Sequence, residues 1–328
     1  MGHNGRRDLR VFMGLAGLGL VGAAWSAETM LPAGAAARIC LAHFLAGQVR
    51  EAAAVCRPLA EKENDPAAHF VMGTLYEGGA AVPRSYEKAL HHYTLAAEAG
   101  RPEAQYNLGL LYQRGLGVTP DAEVAQIWYR RSAEQGFAPA MHNLASLLSP
   151  AAAREWYRRA ALAGYTPAMN NLAQLLSRRT PPHGDPTAAD LAEATSWWRR
   201  GAEKGDTESA FWYGVALLDG RGVTSDPTGA LHWLNKAAER GSSDAHLILG
   251  RIYRAGYGTV AKDGQKSLEH LRKAAEMGST VAMYDLGLQL LADDKQDEAL
   301  SWLQRAGAGG FPPARVLIEK LRGSRTKP

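Results

Sequence analysis

Ala104–Gly136 reads AQYNLGLLYQRGLGVTPDAEVAQIWYRRSAEQG, two helical patterns joined by a glycine-rich turn. Ala104, Leu108, Leu111 and Tyr112 fall at i, i+4, i+7 and i+8 and make one apolar helix face. Gly115, Gly117, Pro120 and Asp121 interrupt that face as turn and helix-start residues do. A second face follows in Ala125, Trp128, Ser132 and Ala133, and Gly136 closes the unit.

The unit recurs. Aligned on the alanine that opens the first helix face, the starts are Ala68, Ala104, Ala140, Ala168, Ser209, Ala245 and Ala282, and an eighth start at Ala314 leads into a tail. The intervals are 36, 36, 28, 41, 36, 37 and 32 residues. Four residues before each start after Ala68 stands a glycine, from Gly100 and Gly136 through Gly164, Gly205, Gly241 and Gly278 to Gly310. These are read as the residues that end each second helix, where a left-handed backbone costs an L-residue about 1–2 kcal/mol.

The second helix carries a code of its own. Small residues lie eleven and three positions before each closing glycine, as at Ala89 and Ala97 or Ala125 and Ala133. Eight before it stand His92, Trp128, Trp156, Trp197, Trp233, His270 and Trp302. The small residues let a neighbouring helix approach closely, and the large ring is expected to fill the groove between units.

The motifs A-Q-Y-N-L-G-x-L-Y-x-x-G-x-G-V and W-Y-x-(K/R)-x-A-x-x-G resemble the Sel-like repeat (SLR), a relative of the tetratricopeptide repeat, over about Ala67 to Phe311. The resemblance implies an all-α fold, a right-handed α-solenoid of TPR-like helix-turn-helix repeats. Three repeats keep both turn glycines: Gly115/Gly117, Gly220/Gly222 and Gly256/Gly258. The repeat at Ala140 loses its G-x-G turn and keeps Ser149-Pro150 as its connection, and the repeat at Ala282 is also short. The repeat at Ala168 gains a proline-rich insertion, Arg178 to Asp190.

The expected organisation has four parts. Residues 1–27 read as a signal peptide or N-terminal anchor, with Arg6, Arg7 and Arg10 ahead of a short apolar run, Val11–Ala24. Fourteen apolar residues are few for a membrane span. Residues 28–66 hold a linker and a TPR-like capping pair, Ala36–Ala46 and Gln48–Glu61; residues 67–313 hold seven repeats. Residues 314–328 form a capping helix, Ala314–Leu321, and a frayed basic tail from Arg322. The formal charge of +4, about +2 without residues 1–27, gives no reason to expect nucleic-acid binding.

Cys40 lies seven residues before Gly47 and Cys56 nine after it, so a helix pair turning at Gly47 brings them opposite each other. In an exported chain a disulfide is expected, with two buried thiols as the alternative. Asn107, Asn143 and Asn171, with Asp285 later, stand three residues after their repeat starts. In TPR-like arrays that helix lines the concave face, where amides can clamp an extended peptide or bond a neighbouring turn. Tyr106, His142, Trp212, His246 and Tyr284 could line the same groove or serve packing. Arg130-Arg131, Arg158-Arg159 and Arg199-Arg200 form either a cationic stripe for an acidic partner, polysaccharide or lipid surface or solvated arginines lying over tryptophan rings.

Catalytic motifs of the zinc-protease, serine-hydrolase and phosphate-loop types are absent from the sequence, and His91-His92 has no metal-spaced partner on its helix. No cofactor or metal is expected, and the G-x-G pairs belong to helix-helix turns rather than nucleotide loops. The resemblance implies a non-catalytic scaffold or adaptor in the bacterial envelope, periplasmic or anchored to the inner membrane through residues 1–27. Its groove would take another protein or peptide, and its role could be regulatory. The family's cysteine-rich members imply an enzymatic alternative, binding or hydrolysing β-lactams. They place a cysteine pair in nearly every repeat, whereas this chain has one pair, outside the repeats.

Overall fold

A computed structural model describes residues 34–178 and 185–325, with side chains to residue 321. The signal or anchor segment, residues 179–184 of the insertion and the last three residues of the tail lie outside the described residues. Among the described residues the regular structure is helical, apart from one isolated bridge between Tyr257 and Val260 in a turn. The chain divides at Ala168 into two compact units.

The first unit contains α1 (Ala35–Leu45), α2 (Val49–Glu63), α3 (Pro66–Gly78), α4 (Tyr86–Glu98), α5 (Pro102–Arg114), α6 (Ala122–Glu134), α7 (Ala138–Ser146) and α8 (Pro150–Leu162). Helix α9 (Thr166–Ser177) runs through the division. The second unit continues with α10 (Ala188–Glu203), α11 (Thr207–Asp219), α12 (Pro227–Glu239), α13 (Ser243–Ala255), α14 (Gly264–Glu276), α15 (Thr280–Ala292), α16 (Gln296–Ala308) and α17 (Pro312–Arg325). Within each unit consecutive helices pack in pairs, and the pairs stack as an α-solenoid array.

Local chemistry sets the helix ends. Each first helix begins two residues before the alanine on which the repeats align, because a polar or proline-led first turn precedes the apolar face. Asp65 Oδ1 accepts from Ala68 N at 2.8 Å and Asp206 Oδ2 from Ser209 N at 2.7 Å, satisfying first-turn N–H groups. At the other end of the unit, Gly100 and Gly136 both adopt φ +91°, the left-handed stop expected from the spacing.

The groove filler differs from expectation. The ring eight residues before the closing glycine is buried at Trp197 and Trp302 but only half-buried at Trp128, Trp156 and Trp233. The fully enclosed residue is the next one, Tyr93, Tyr129, Leu234, Leu271 or Leu303, each 0% exposed. It presses on a glycine of the first helix of its own repeat. A Cβ at Gly109 would lie 2.7 Å from Tyr129 Cδ1, and one at Gly287 2.7 Å from Leu303 Cγ. Removing the side chain on one helix makes room for a large one on the other. The small residues behave as expected: Ala89, Ala125 and Ala133 are 0% exposed.

Turn glycines have a second use. A Cβ on Gly117 would lie 2.5 Å from the Tyr86 carbonyl carbon, at the start of the preceding repeat's second helix. In the short repeat at Ala282, which lacks that turn, Gln289 Nε2 donates to Gly264 O at 3.0 Å and occupies the same place. The repeat at Ala140 has only a nine-residue first helix, α7. Part of the apparent insertion is helical: Thr187 and Asp190 form a capping box that starts α10, sixteen residues long.

The capping pair α1–α2 forms with boundaries shifted by one to two residues, and it turns at Gly47 with φ +74°. Cys40 and Cys56 are bonded to each other and 0% exposed. At the C-terminus α17 continues to Arg325, so the expected frayed tail is helical over its first four residues. Among the described residues no helix is long and apolar enough to cross a membrane.

Candidate functional site

The asparagine row reaches back toward the preceding repeat. Tyr93 on α4 donates to Glu77 Oε2 at 2.7 Å and lies 3.1 Å from Thr74 Oγ1. Burial pushes the Tyr93 hydroxyl well above its ordinary range, and the nearby Asn107 amide offsets a small part of that shift. Asn107 is 2% exposed, and no acceptor meets hydrogen-bond geometry at its Nδ2. It offers no surface to a ligand in this conformation, because it sits inside the packing between repeats.

Asn143 is half-buried and lies beside the Tyr106 and Tyr129 hydroxyls. Burial pushes Tyr129 up to about 12, with Asn143 opposing. Tyr129 Oη donates to Gln113 Oε1 at 2.7 Å, the counterpart of the Tyr93–Glu77 bond one repeat earlier. Further along, Asp285 is buried and accepts from Arg251 Nε at 2.6 Å, again from the preceding repeat. These side chains therefore join neighbouring repeats, and Asn143 also keeps part of its surface open.

His142 is half-buried between the rings of Tyr157 and Tyr165, both 5.4 Å away. Its Nδ1 lies 3.1 Å from Asn143 Oδ1, and burial holds its pKa below the ordinary value while Asn143 opposes. Tyr106 is 3% exposed, so its ring packs against Tyr129 and Phe137 rather than lining a surface. In the second unit Asn171 is half-buried, and its neighbour Asn170 accepts from Trp198 Nε1 at 3.2 Å. Trp212 is half-buried and stacks on Trp198 at 5.9 Å. Tyr284 packs on Phe311 at 5.3 Å.

The arginine doublets divide their labour. Arg131, Arg159 and Arg200 lie over Trp128, Trp156 and Trp197 at 4.6, 4.3 and 4.7 Å, and Lys236 and Arg305 repeat the contact on Trp233 and Trp302. Arg130 is exposed, Arg158 lies 4.0 Å from Glu155, and Arg199 lies 3.7 Å from Glu203. Each of the last two is partly neutralised by a carboxylate on its own helix.

Sequence reasoning missed two histidine pairs. His69 Nδ1 lies 2.8 Å from His92 Nδ1, and His246 Nδ1 lies 2.9 Å from His270 Nδ1. His92 does have a partner, on the neighbouring helix rather than its own. The available signal was a repeat with His one residue after its start and His eight before its closing glycine, found at Ala68 and again at Ala245. Among the described residues no group of three or more metal-ligating side chains could hold a metal ion. Both cysteines are bonded to each other in the cap, leaving no thiol in the repeats.

Comparison with known proteins gives a consistent picture. The Sel1 repeat model matches residues 66–100, 102–137, 138–165, 166–206, 207–242, 243–279 and 280–311. The crystal structure of a Sel1 repeat protein from Oxalobacter formigenes is similar over 74% of this chain and 97% of that one, at 29% identity and a TM-score of 0.63. A protective antigen of uropathogenic Escherichia coli with an SLR fold is similar over 88% of this chain and 72% of that one, at 26% identity and a TM-score of 0.57. An uncharacterized protein of Neisseria meningitidis is 30% identical over 39% of this chain, and a chitin synthase regulator of Saccharomyces cerevisiae is 30% identical over 29% of it. The chain spans only 27% and 15% of the length of those two relatives.

Proposed function

The chain belongs to the Sel1-repeat family, whose members are generally protein-interaction scaffolds, and from that premise we propose a non-catalytic scaffold that binds a protein or peptide on its first helices. One observation carries the reading. The second helices spend their repeated pattern of small, large and cationic side chains on stacking, whereas the first helices leave part of His142, Asn143, Asn171 and Trp212 uncovered. Amides and aromatic edges in that setting can hold an extended backbone through paired donors and acceptors.

We also place the protein in the bacterial envelope, in the periplasm or tethered to the inner membrane. The basic-then-apolar start of the sequence and the Cys40–Cys56 bond support an oxidising compartment. The capping pair at 28–66, the repeats at 67–313 and the C-terminal cap complete the proposed organisation. The alternative contact surface, for an acidic partner, is the row Arg130, Arg158 and Arg199, and it is disfavoured because Glu155 and Glu203 partly neutralise the last two.

Crosslinking in intact cells, followed by mass spectrometry, tests the reading. Asn143→Ala combined with Asn171→Ala should reduce capture of the dominant partner while the array stays folded, as read by helicity. Undiminished capture would remove the first-helix face from the account.

A further inference from the structure

The two histidine pairs are built alike, one in each compact unit. His69 and His92 have ring centroids 5.1 Å apart at 41°, and His246 and His270 have theirs 5.2 Å apart at 41°. Tyr76 stacks on His92 at 5.5 Å and Tyr253 on His270 at 5.7 Å. Lys88 and Lys266 lie over those tyrosines at 5.2 and 5.3 Å. Five other repeats put tryptophan where His92 and His270 stand, so the pair is particular to the repeats at Ala68 and Ala245.

Two Nδ1 atoms in such contact can hold one proton between them, one donating and the other accepting. His69 Nε2 lies 2.8 Å from Asn64 Oδ1, an acceptor. His69 therefore carries its proton on Nε2, its Nδ1 accepts, and His92 donates from Nδ1. A first added proton goes to His92 Nε2. A second must go to His69 Nδ1, which removes the acceptor and sets N–H against N–H between two cations. His69 and His246 are 4% and 8% exposed, so water cannot readily screen that contact. His91 and Lys88 on α4 oppose protonation of the first pair, and Asp65 before α3 favours it. For the second pair Lys273 and Lys266 on α14 oppose it and Glu269 favours it.

We propose that the two imidazole pairs are acid-operated latches, so that acidification separates the first helix from the second in the repeats at Ala68 and Ala245 while the tryptophan-bearing repeats stay closed. Burial supports the sign. It pushes His92 and His270 down to about 4 and holds His69 and His246 below 6.5. The unfolded chain takes up these protons at higher pH than the folded one. The latch is therefore at full strength above about pH 6.5 and is lost as pH falls toward 4.

Hydrogen exchange, corrected for intrinsic rates, tests this at pH 7 and pH 5. Amides of α3, α4, α13 and α14 should lose about tenfold or more in protection over that interval, relative to α5 and α6. His69→Met with His92→Trp copies the pairing of Met141 with Trp156, and His246→Met with His270→Trp copies that of Met283 with Trp302. Each double variant should abolish the acid response in its own repeat and leave the other intact. Equal loss in every repeat, or an unchanged response in the variants, would overturn the latch. Should a double variant fold poorly, nitrogen NMR of the wild-type imidazoles decides. Titration of all four near pH 6.5 overturns the proposal, and a protonation step well below pH 6.5 within each pair supports it.

Discussion

Gly109→Ala puts the ring-into-glycine packing at risk. In the interior of an exposed helix, alanine is more stable than glycine by about 1 kcal/mol. Here the new Cβ would arrive 2.7 Å from both Tyr129 Cδ1 and Cε1. Tyr129 is 0% exposed and its hydroxyl is tied to Gln113 at 2.7 Å, so the ring cannot swing aside freely. Overpacking of this kind costs about 1–3 kcal/mol, and subtracting the propensity gain leaves about 1 kcal/mol of net destabilisation. Two repeats carry alanine in the glycine's place, Ala145 and Ala173, and there the residues at the Tyr129 position, Tyr157 and Trp198, are 8% and 5% exposed. Gly264→Ala is the control, because its Cβ would meet nothing nearer than 3.9 Å. Hydrogen exchange of α5 and α6 should accelerate about fivefold in Gly109→Ala, the equivalent of about 1 kcal/mol. If Gly109→Ala slowed exchange instead, the packing argument would be wrong.

Three further outcomes follow from named contacts. Replacing Cys40 and Cys56 by alanine opens a loop of sequence separation 16 and should cost about 3 kcal/mol on the chain-entropy model, read as a lower urea midpoint for the cap. Ala133→Leu, at a position 0% exposed, should cost about 1–3 kcal/mol, and an unchanged melting temperature would contradict the close helix approach. Glu77→Gln copies Gln113 and keeps an acceptor for Tyr93. Burial raises the Glu77 carboxyl above 4.5, so the folded state binds its proton more tightly than the unfolded chain. That contribution is present below about pH 4.5 and lost as pH rises through the folded pKa. Glu77→Gln should therefore match the wild type in acid and exceed it in urea midpoint at pH 7.

The repeat starts, closing glycines and small helix positions were legible because each follows from one local need, a cap, a left-handed residue or a close approach. The buried ring was misplaced by one residue, from Trp128 to Tyr129, for a physical reason. Positions i+3 and i+4 from Ala125 both face the neighbouring helix, and a single helix cannot choose between them. Gly109 on the partner helix decides it. The histidine pairs escaped for a related reason, since His69 and His92 are 23 residues apart and meet only when the two helices of one repeat fold together. Asn107 looked like its relatives Asn143 and Asn171, yet full burial takes it out of reach of a partner.

The central claim is that the first helices hold the partner. Photo-crosslinking side chains introduced singly at His142, Trp212, Arg130 and Arg199 in cells test it most directly. The account predicts a partner adduct at His142 and at Trp212 and little at the two arginine positions. Adducts confined to Arg130 and Arg199 would contradict it and move binding to the second helices.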